Sequence, residues 1–302
     1  MGTLFVVATP IGNLEDLSPR AVRVLREVAL IAAEDTRHSR RLLAHFGIKT
    51  PTVSYHEHNQ RSRRELLLGA LASGNVGLIT DAGTPGVSDP GADLVAAALE
   101  AGYRVSPIPG ASALAAAVSA SGLIDGPFLT LGFLPRERAE RLRLVARAAA
   151  VGFPLVIFES ARRVEPTLRE LMNVLGERRA VLMRELTKIH EEMRAGTLSD
   201  LRHWAETTNP RGEIALVIAG PLQTVANDDD AEAVVRSLRQ SGLSASQAAR
   251  EAASITGLPR SELYKLAMAV GASGSVGLKG QLSLPDQDAL QDPLGDQEGP
   301  ER

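Results

Sequence analysis

The sequence predicts an α/β protein: two α/β domains, followed by a small helical appendage and a disordered acidic tail. Three observations carry that expectation. Short apolar runs alternate with amphipathic stretches of helical spacing in residues 3–121, and the pattern repeats in residues 128–219. Segments rich in Gly, Pro and small hydroxyl residues follow several of the apolar runs, where open α/β sheets bind ligands. Composition then changes: residues 273–302 hold six acids and two bases and are rich in Gly and Gln. The predicted boundaries are 1–121, 122–224, 228–271 and 272–302.

The first block opens with a strand at Leu4–Thr9, so Met1–Pro10 reads as core rather than leader. Ser18-Pro19 caps and starts a helix whose Ala21, Val24, Leu25 and Val28 share one face. Strands are expected at Leu30–Ala33 and Val53–Tyr55, with a helix around Arg40–His45 between them. Val76–Thr80 is the clearest buried strand. Asp89-Pro90 starts a helix that Gly102 ends, Val105–Ile108 is a strand, and Ala111–Ser121 is a helix of small residues. Such alternation implies a mostly parallel sheet. Gly122–Pro127 reads as a hinge. The second block has strands at Phe128–Gly132, Leu155–Glu159, Ala180–Glu185 and Ile214–Ala219, and helices at Glu137–Ala149 and Pro166–Leu175. Asn227–Asp230 reads as a charged linker, and two or three helices run on to Val270, one capped by Ser244.

Composition excludes several chemistries. There is no cysteine, so disulfides, thiolate zinc sites and cysteine nucleophiles are out. No metal site is expected, because His56 and His58 lack a third ligand. The Rossmann and P-loop glycine fingerprints are absent. No apolar run nears the roughly 20 residues of a membrane span, which predicts a cytoplasmic protein without a membrane partner. Net charge is −3, but the acidic tail carries −4 of it, leaving a nearly neutral body with room for basic patches.

Four loops are candidates for ligand contact: Thr9–Leu14, Asp81–Ser88, Pro109–Ala113 and Leu131–Pro135. Each is also readable as a plain tight turn; together they suggest a cleft. Glycines admit close backbone approach, and the third loop enters a helix whose free N–H groups suit a carboxylate or phosphate.

These residues carry a family resemblance. Val6-Val7-Ala8-Thr9-Pro10-Ile11-Gly12-Asn13-Leu14 resembles the opening of the tetrapyrrole-methylase superfamily. Ile79-Thr80-Asp81-Ala82-Gly83-Thr84-Pro85 resembles its second signature, and Pro109-Gly110-Ala111-Ser112-Ala113 its Pro-Gly-x-Ser motif. Within the superfamily, Ala33-Glu34-Asp35-Thr36-Arg37, Tyr55-His56-Glu57-His58-Asn59 and Arg184-Glu185-Leu186-Thr187-Lys188 are similar to the ribosomal RNA small-subunit methyltransferase I branch. The resemblance spans residues 3–270. Where that branch commonly reads Glu-Ser-Pro-His-Arg, this chain has Glu159-Ser160-Ala161-Arg162-Arg163, losing an imidazole and keeping positive charge.

The resemblance implies a tetrapyrrole-methylase-like fold, usually homodimeric, that binds S-adenosyl-L-methionine between its halves. It implies 2′-O-ribose methylation of a cytidine in the decoding region of 16S ribosomal RNA, within naked RNA or an assembled small subunit. Cofactor contacts carried over fall at Pro10, Gly12, Asp81, Gly83, Thr84, Val87, Ser112, Ala113, Leu134 and Ala215.

Methyl transfer consumes the sulfonium charge, so the site must align its reactants, and a ribose hydroxyl needs a group to take its proton. The candidates are Glu185, to orient the ribose or the methionine amine, and Lys188, as a base if burial depresses its pKa; a structural ion pair is the alternative. For RNA, the candidates are Arg37, Arg40, Arg41, His56, Arg61, Arg136, Arg162 and Arg163, each also readable as a solvated face. Arg260 and Lys265 of the appendage are candidates for phosphate contact. Two rival functions stand: methylation of a corrin or tetrapyrrole precursor, and RNA binding without catalysis in ribosome assembly.

Overall fold

The computed structural model describes residues 2–221 and 228–273. The chain divides into two compact units, one ending at Leu222 and the other beginning at Gln223.

The first unit contains two five-stranded sheets. The first sheet is built from β1 (Thr3–Val7), β2 (Leu30–Ala33), β3 (Thr52–Ser54), β4 (Val76–Ile79) and β5 (Arg104–Ile108) in the order β3-β2-β4-β1-β5. Every pairing is parallel. All four residues of β4 are buried, as expected of a central strand covered on both faces. The helices between strands are α1 (Pro19–Glu27), α2 (Thr36–His45), α3 (Gln60–Ser73) and α4 (Ala92–Glu100). Ser18 caps α1 through the Ala21 N–H, and Asp35 caps α2 through the Arg37 N–H. The sequence reading left α3 unassigned. It buries Leu67 and Leu71, but the run Leu66–Leu68 blurs its period, with Leu66 exposed.

α5 (Ala113–Ser121) leads to the second sheet: β6 (Leu129–Phe133), β7 (Leu155–Ser160), β8 (Arg179–Arg184), β9 (Glu192–Thr197) and β10 (Glu213–Ile218), in the order β6-β7-β10-β8-β9. Only β6–β7 is parallel; the other three pairings are antiparallel. α6 (Arg138–Val151), α7 (Ala161–Leu175) and α8 (Leu198–Thr208) complete this half. β9 and α8 had no assignment from sequence, and α7 begins five residues before the expected Pro166.

The faces of this second sheet explain its continuous apolar strands. Leu155, Ile157, Leu182, Leu216 and Ile218 pack into a core with residues of α6, α7 and α8. The alternate residues Val156, Val181, Met183, Ala215 and Val217 pack with Ala117 of α5. Both faces are buried, so the period-2 signal of an ordinary antiparallel sheet is erased.

The second unit holds α9 (Asp228–Gln240), α10 (Ala245–Thr256) and α11 (Arg260–Ser273). Its core is Ala231, Val235, Ala248, Ala249, Ala252, Leu263 and Ala267. Ser244 caps α10 in a reciprocal box with Gln247. The predicted linker is corrected here: Asp228–Asp230 form the first turn of α9, and Asn227 lies outside the described residues. Nearly all of the predicted tail, from residue 274 on, also lies outside them. Among the described residues no helix is long and apolar enough to cross a membrane.

Candidate cofactor site

The first sheet supplies a frame of loops at its strand ends. The loop after β1 is stitched to the loop after β4 by a two-way bridge: Thr9 N–H donates to Gly83 O at 2.8 Å and Gly83 N–H to Thr9 O at 3.0 Å. The buried Thr9 hydroxyl adds a bond to Thr80 O at 3.0 Å. Gly83 sits at φ +81°, which favours glycine. The Thr84 hydroxyl reaches Ala111 O at 3.3 Å, tying in the loop before α5. Ser112 caps α5 through the Ala115 N–H, leaving first-turn amides with no intrahelical partner at the helix start.

The second sheet contributes a wall of side chains. Ala215 of β10 lies in register between Phe158 of β7 and Met183 of β8. The two halves also meet at Gly12. A Cβ there would lie 2.4 Å from Lys188 Cγ and 2.9 Å from Leu186 O, so only glycine fits against the loop after β8.

Between loops and wall lies a cavity with about 790 Å³ of atom-free space, open solvent at its mouth included. Of the expected cofactor residues, Gly83, Thr84, Val87, Ser112, Ala113 and Ala215 line it. Four others do not. Ile11 lines it in place of Pro10. Gly12 is filled against Leu186–Lys188. The Asp81 carboxylate accepts from Asp35 N–H at 3.2 Å and lies 3.6 Å from His38 Nδ1. Leu134 is buried in the core with Val145 and Leu171, while its neighbour Phe133 lines the cavity. Ser88, the last residue of the candidate loop Asp81–Ser88, lines it too, and so do Asp89, Phe158, Met183, Leu186 and Glu213, which were not among the expected contacts. Phe158 and Met183 had a usable signal, since strand alternation places them on the face shared with Ala215.

The cavity rim is acidic. Asp89 and Glu213 line it, and Glu34 and Asp81 lie behind. Burial, and then repulsion from Glu34, Asp81 and Glu213, raises the Asp89 pKa to about 7. Among the described residues no three His, Asp or Glu groups converge to hold a metal ion.

Glu185 and Lys188 sit together beside this rim. Lys188 Nζ donates to Glu185 Oε1 and to Glu213 Oε2, both at 3.0 Å. Glu185 also accepts from Glu213 N–H at 3.1 Å. Burial would lower the Lys188 pKa, but the two carboxylates outweigh it and the pKa rises. Burial would raise that of Glu185, but the Glu213 N–H and Lys188 outweigh it and the pKa falls. The condition on which Lys188 could serve as a base is therefore not met: it is an ion-paired ammonium, ill suited to take a proton.

Arg40, Arg41, Arg61, Arg136 and Arg162 are exposed, and among the described residues their guanidinium groups form no ion pair. Arg37 is 86% exposed and clamps Asp35. His56 is half-buried, with Nε2 beside the Asn59 amide. Arg163 pairs with the buried Glu159 at 3.3 Å and donates to Leu134 O. Arg138 and Arg141 of α6 both bind Glu170. In the helical unit, Arg260 donates to Ser246.

The family described as Tetrapyrrole (Corrin/Porphyrin) Methylases matches residues 3–202, and the RsmI C-terminal HTH domain matches residues 225–270. A Synechocystis relative named ribosomal RNA small subunit methyltransferase I is 46% identical, over 91% of this chain and 100% of its own. A Pseudomonas aeruginosa relative of the same name is 47% identical, over 88% and 97%. Among solved structures, uroporphyrin-III C-methyltransferase from Thermus thermophilus, complexed with S-adenosyl homocysteine, superposes with a TM-score of 0.50 at 21% identity. That match covers 72% of this chain and 97% of the other, and shows a shared fold. The chain belongs to the tetrapyrrole (corrin/porphyrin) methylase family and, within it, to the ribosomal RNA small subunit methyltransferase I group.

Proposed function

We propose that this protein transfers a methyl group from S-adenosyl-L-methionine to the ribose 2′-hydroxyl of a cytidine in 16S ribosomal RNA. The observation that carries the reading is the cavity on which loops of one sheet and side chains of the other converge, in a chain whose close relatives bear that enzyme's name.

The residues present fit the cofactor. Gly83, Thr84 and Val87 offer backbone and small side chains against a nucleoside, and the start of α5 at Ser112 and Ala113 suits its carboxylate. Phe158, Met183 and Leu186 exclude water from the reacting end. Bound there, the cofactor supplies an electrophilic methyl carbon. Glu185 and Lys188 hold the loop after β8 and, through it, Glu213 at the rim.

For the RNA, Arg40, Arg41, Arg61, Arg136 and Arg162 supply unpaired positive charge for phosphates, with Arg37 and His56 as further contacts. Arg163 has a structural role first. The working assembly is a cytoplasmic homodimer acting on ribosomal RNA or the small subunit, with the two halves of the first unit divided near Gly122. The test is to map 2′-O-methyl sites in ribosomal RNA from cells with and without this protein. One cytidine methylated only in its presence is expected; identical maps would refute the assignment.

A further inference from the structure

We propose that Asp89 is the group that accepts the ribose hydroxyl proton. The inference rests on the function proposed above. It starts from the fates of the carboxylates at the cavity rim. Glu34 accepts the Asp81 N–H at 3.2 Å. Asp81 accepts the Asp35 N–H and faces His38. Glu213 binds the Lys188 ammonium. Asp89 alone lines the cavity with no hydrogen-bond donor or cation on its carboxylate among the described residues.

Its position is held by the fold. Ser88 before it has φ +64°, an unusual value for a non-glycine residue, and Pro90 after it fixes the chain direction. The charged groups that act on Asp89 are the carboxylates of Glu34 from the loop after β2, Asp81 from the loop after β4 and Glu213 from the start of β10. The basic groups at this rim are engaged elsewhere: His38 Nδ1 lies 3.6 Å from Asp81, and the Lys188 ammonium binds Glu185 and Glu213. Burial and repulsion together place the Asp89 pKa about 7, which matches a base to neutral pH better than a solvated carboxylate does.

The step balances without another reactant. The ribose oxygen forms a bond to the methyl carbon as the carbon–sulfur bond breaks, leaving its electron pair on sulfur. The hydroxyl proton passes to an Asp89 oxygen, and the carboxylic acid later loses it to water. The sulfonium charge is consumed and a neutral thioether leaves.

The experiment compares wild-type protein, Asp89→Asn and Asp89→Glu. It measures single-turnover label transfer from S-adenosylmethionine to under-methylated small subunits, S-adenosylhomocysteine affinity by calorimetry, and Tm against pH. Asp89→Asn is expected to slow transfer by about 10²- to 10⁴-fold with affinity within threefold, and Asp89→Glu to recover part of the rate. The wild-type rate should rise with pH and level off above about 7. The folded pKa exceeds the unfolded one. The Asp89 contribution to stability is therefore full below the unfolded value and lost as pH rises through the folded value. Asp89→Asn should accordingly raise Tm relative to wild type above neutrality. An Asp89→Asn rate within threefold of wild type, or weakened affinity with an unchanged rate at saturating cofactor, would overturn the inference. So would a wild-type rate flat from about pH 5.5 to 8.5, a readout needing no variant. Should wild type transfer no label to subunits it binds, the proposed function itself falls.

Discussion

The two halves of the first unit build one cavity by different means. The parallel sheet contributes main chain: the Thr9–Gly83 bridge, the Thr84 tie to Ala111 and the start of α5. The mixed sheet contributes side chains from strand faces, with Phe158, Ala215 and Met183 in one row, and a loop held by ion pairs. A parallel sheet presents its strand ends to a ligand, so glycine and turn geometry decide its share. A sheet covered on both faces presents a packed surface, so volume and charge decide there. Substitutions in the two halves should therefore fail differently.

The largest effect is expected in the second sheet. Val217 is fully buried against the α5 side. Val217→Asp places an unpaired carboxylate there, at about 4 kcal/mol or more, and a fall in Tm of about 10 °C. Met193→Asp on the exposed edge strand β9, where Met193 is 49% exposed, should stay within about 0.5 kcal/mol. Equal losses in calorimetry would show that the α5 side is not a core.

Gly83→Val tests the parallel half by conformation. Its φ of +81° and the Ile11 Cγ2 at 3.5 Å from a Cβ leave strain more than clash. The cost should be about 1–3 kcal/mol, with S-adenosylhomocysteine binding weakened at least tenfold because the bridge to Thr9 is disturbed. Unchanged affinity alongside lost stability would mean this loop frames the fold without framing the cofactor.

The same contrast decides what could be read from sequence. The first sheet was legible nearly strand by strand, because parallel strands are short apolar runs between capped helices, as at Ser18 and Asp35. In the second sheet the runs were visible but their direction was not, since Val181 and Met183 face one core while Leu182 faces the other. β9 was missed because its alternation, Glu192-Met193-Arg194-Ala195, is short and ends at Gly196, and the edge strand leaves even Met193 half exposed. α8 was missed although Thr197-x-x-Asp200 carries the capping-box signature that the structure displays. Site residues on loops were found through glycine and hydroxyl content. Asp89 and Glu213 were not, because their character comes from carboxylates brought together from the loops after β2 and β4 and from β10.

The smallest effect, and the sharpest for the ion-paired corner, is Glu185→Gln. The substitution keeps the shape and an acceptor oxygen for the Glu213 N–H, but removes the charge facing Lys188. Hydrogen bonds to charged groups bound the loss at about 1–2 kcal/mol, and Lys188 retains Glu213. The folded pKa of Glu185 lies below its ordinary value. Its stabilisation is thus present above the unfolded pKa and lost as pH falls through the folded one. The stability gap between wild type and Glu185→Gln should be full at pH 7 and close on acidification below the ordinary glutamate range. Denaturant unfolding at a series of pH values reads this directly. A gap independent of pH would mean Glu185 acts by shape alone, and the second half would then hold its rim loop as the first half does, by backbone geometry.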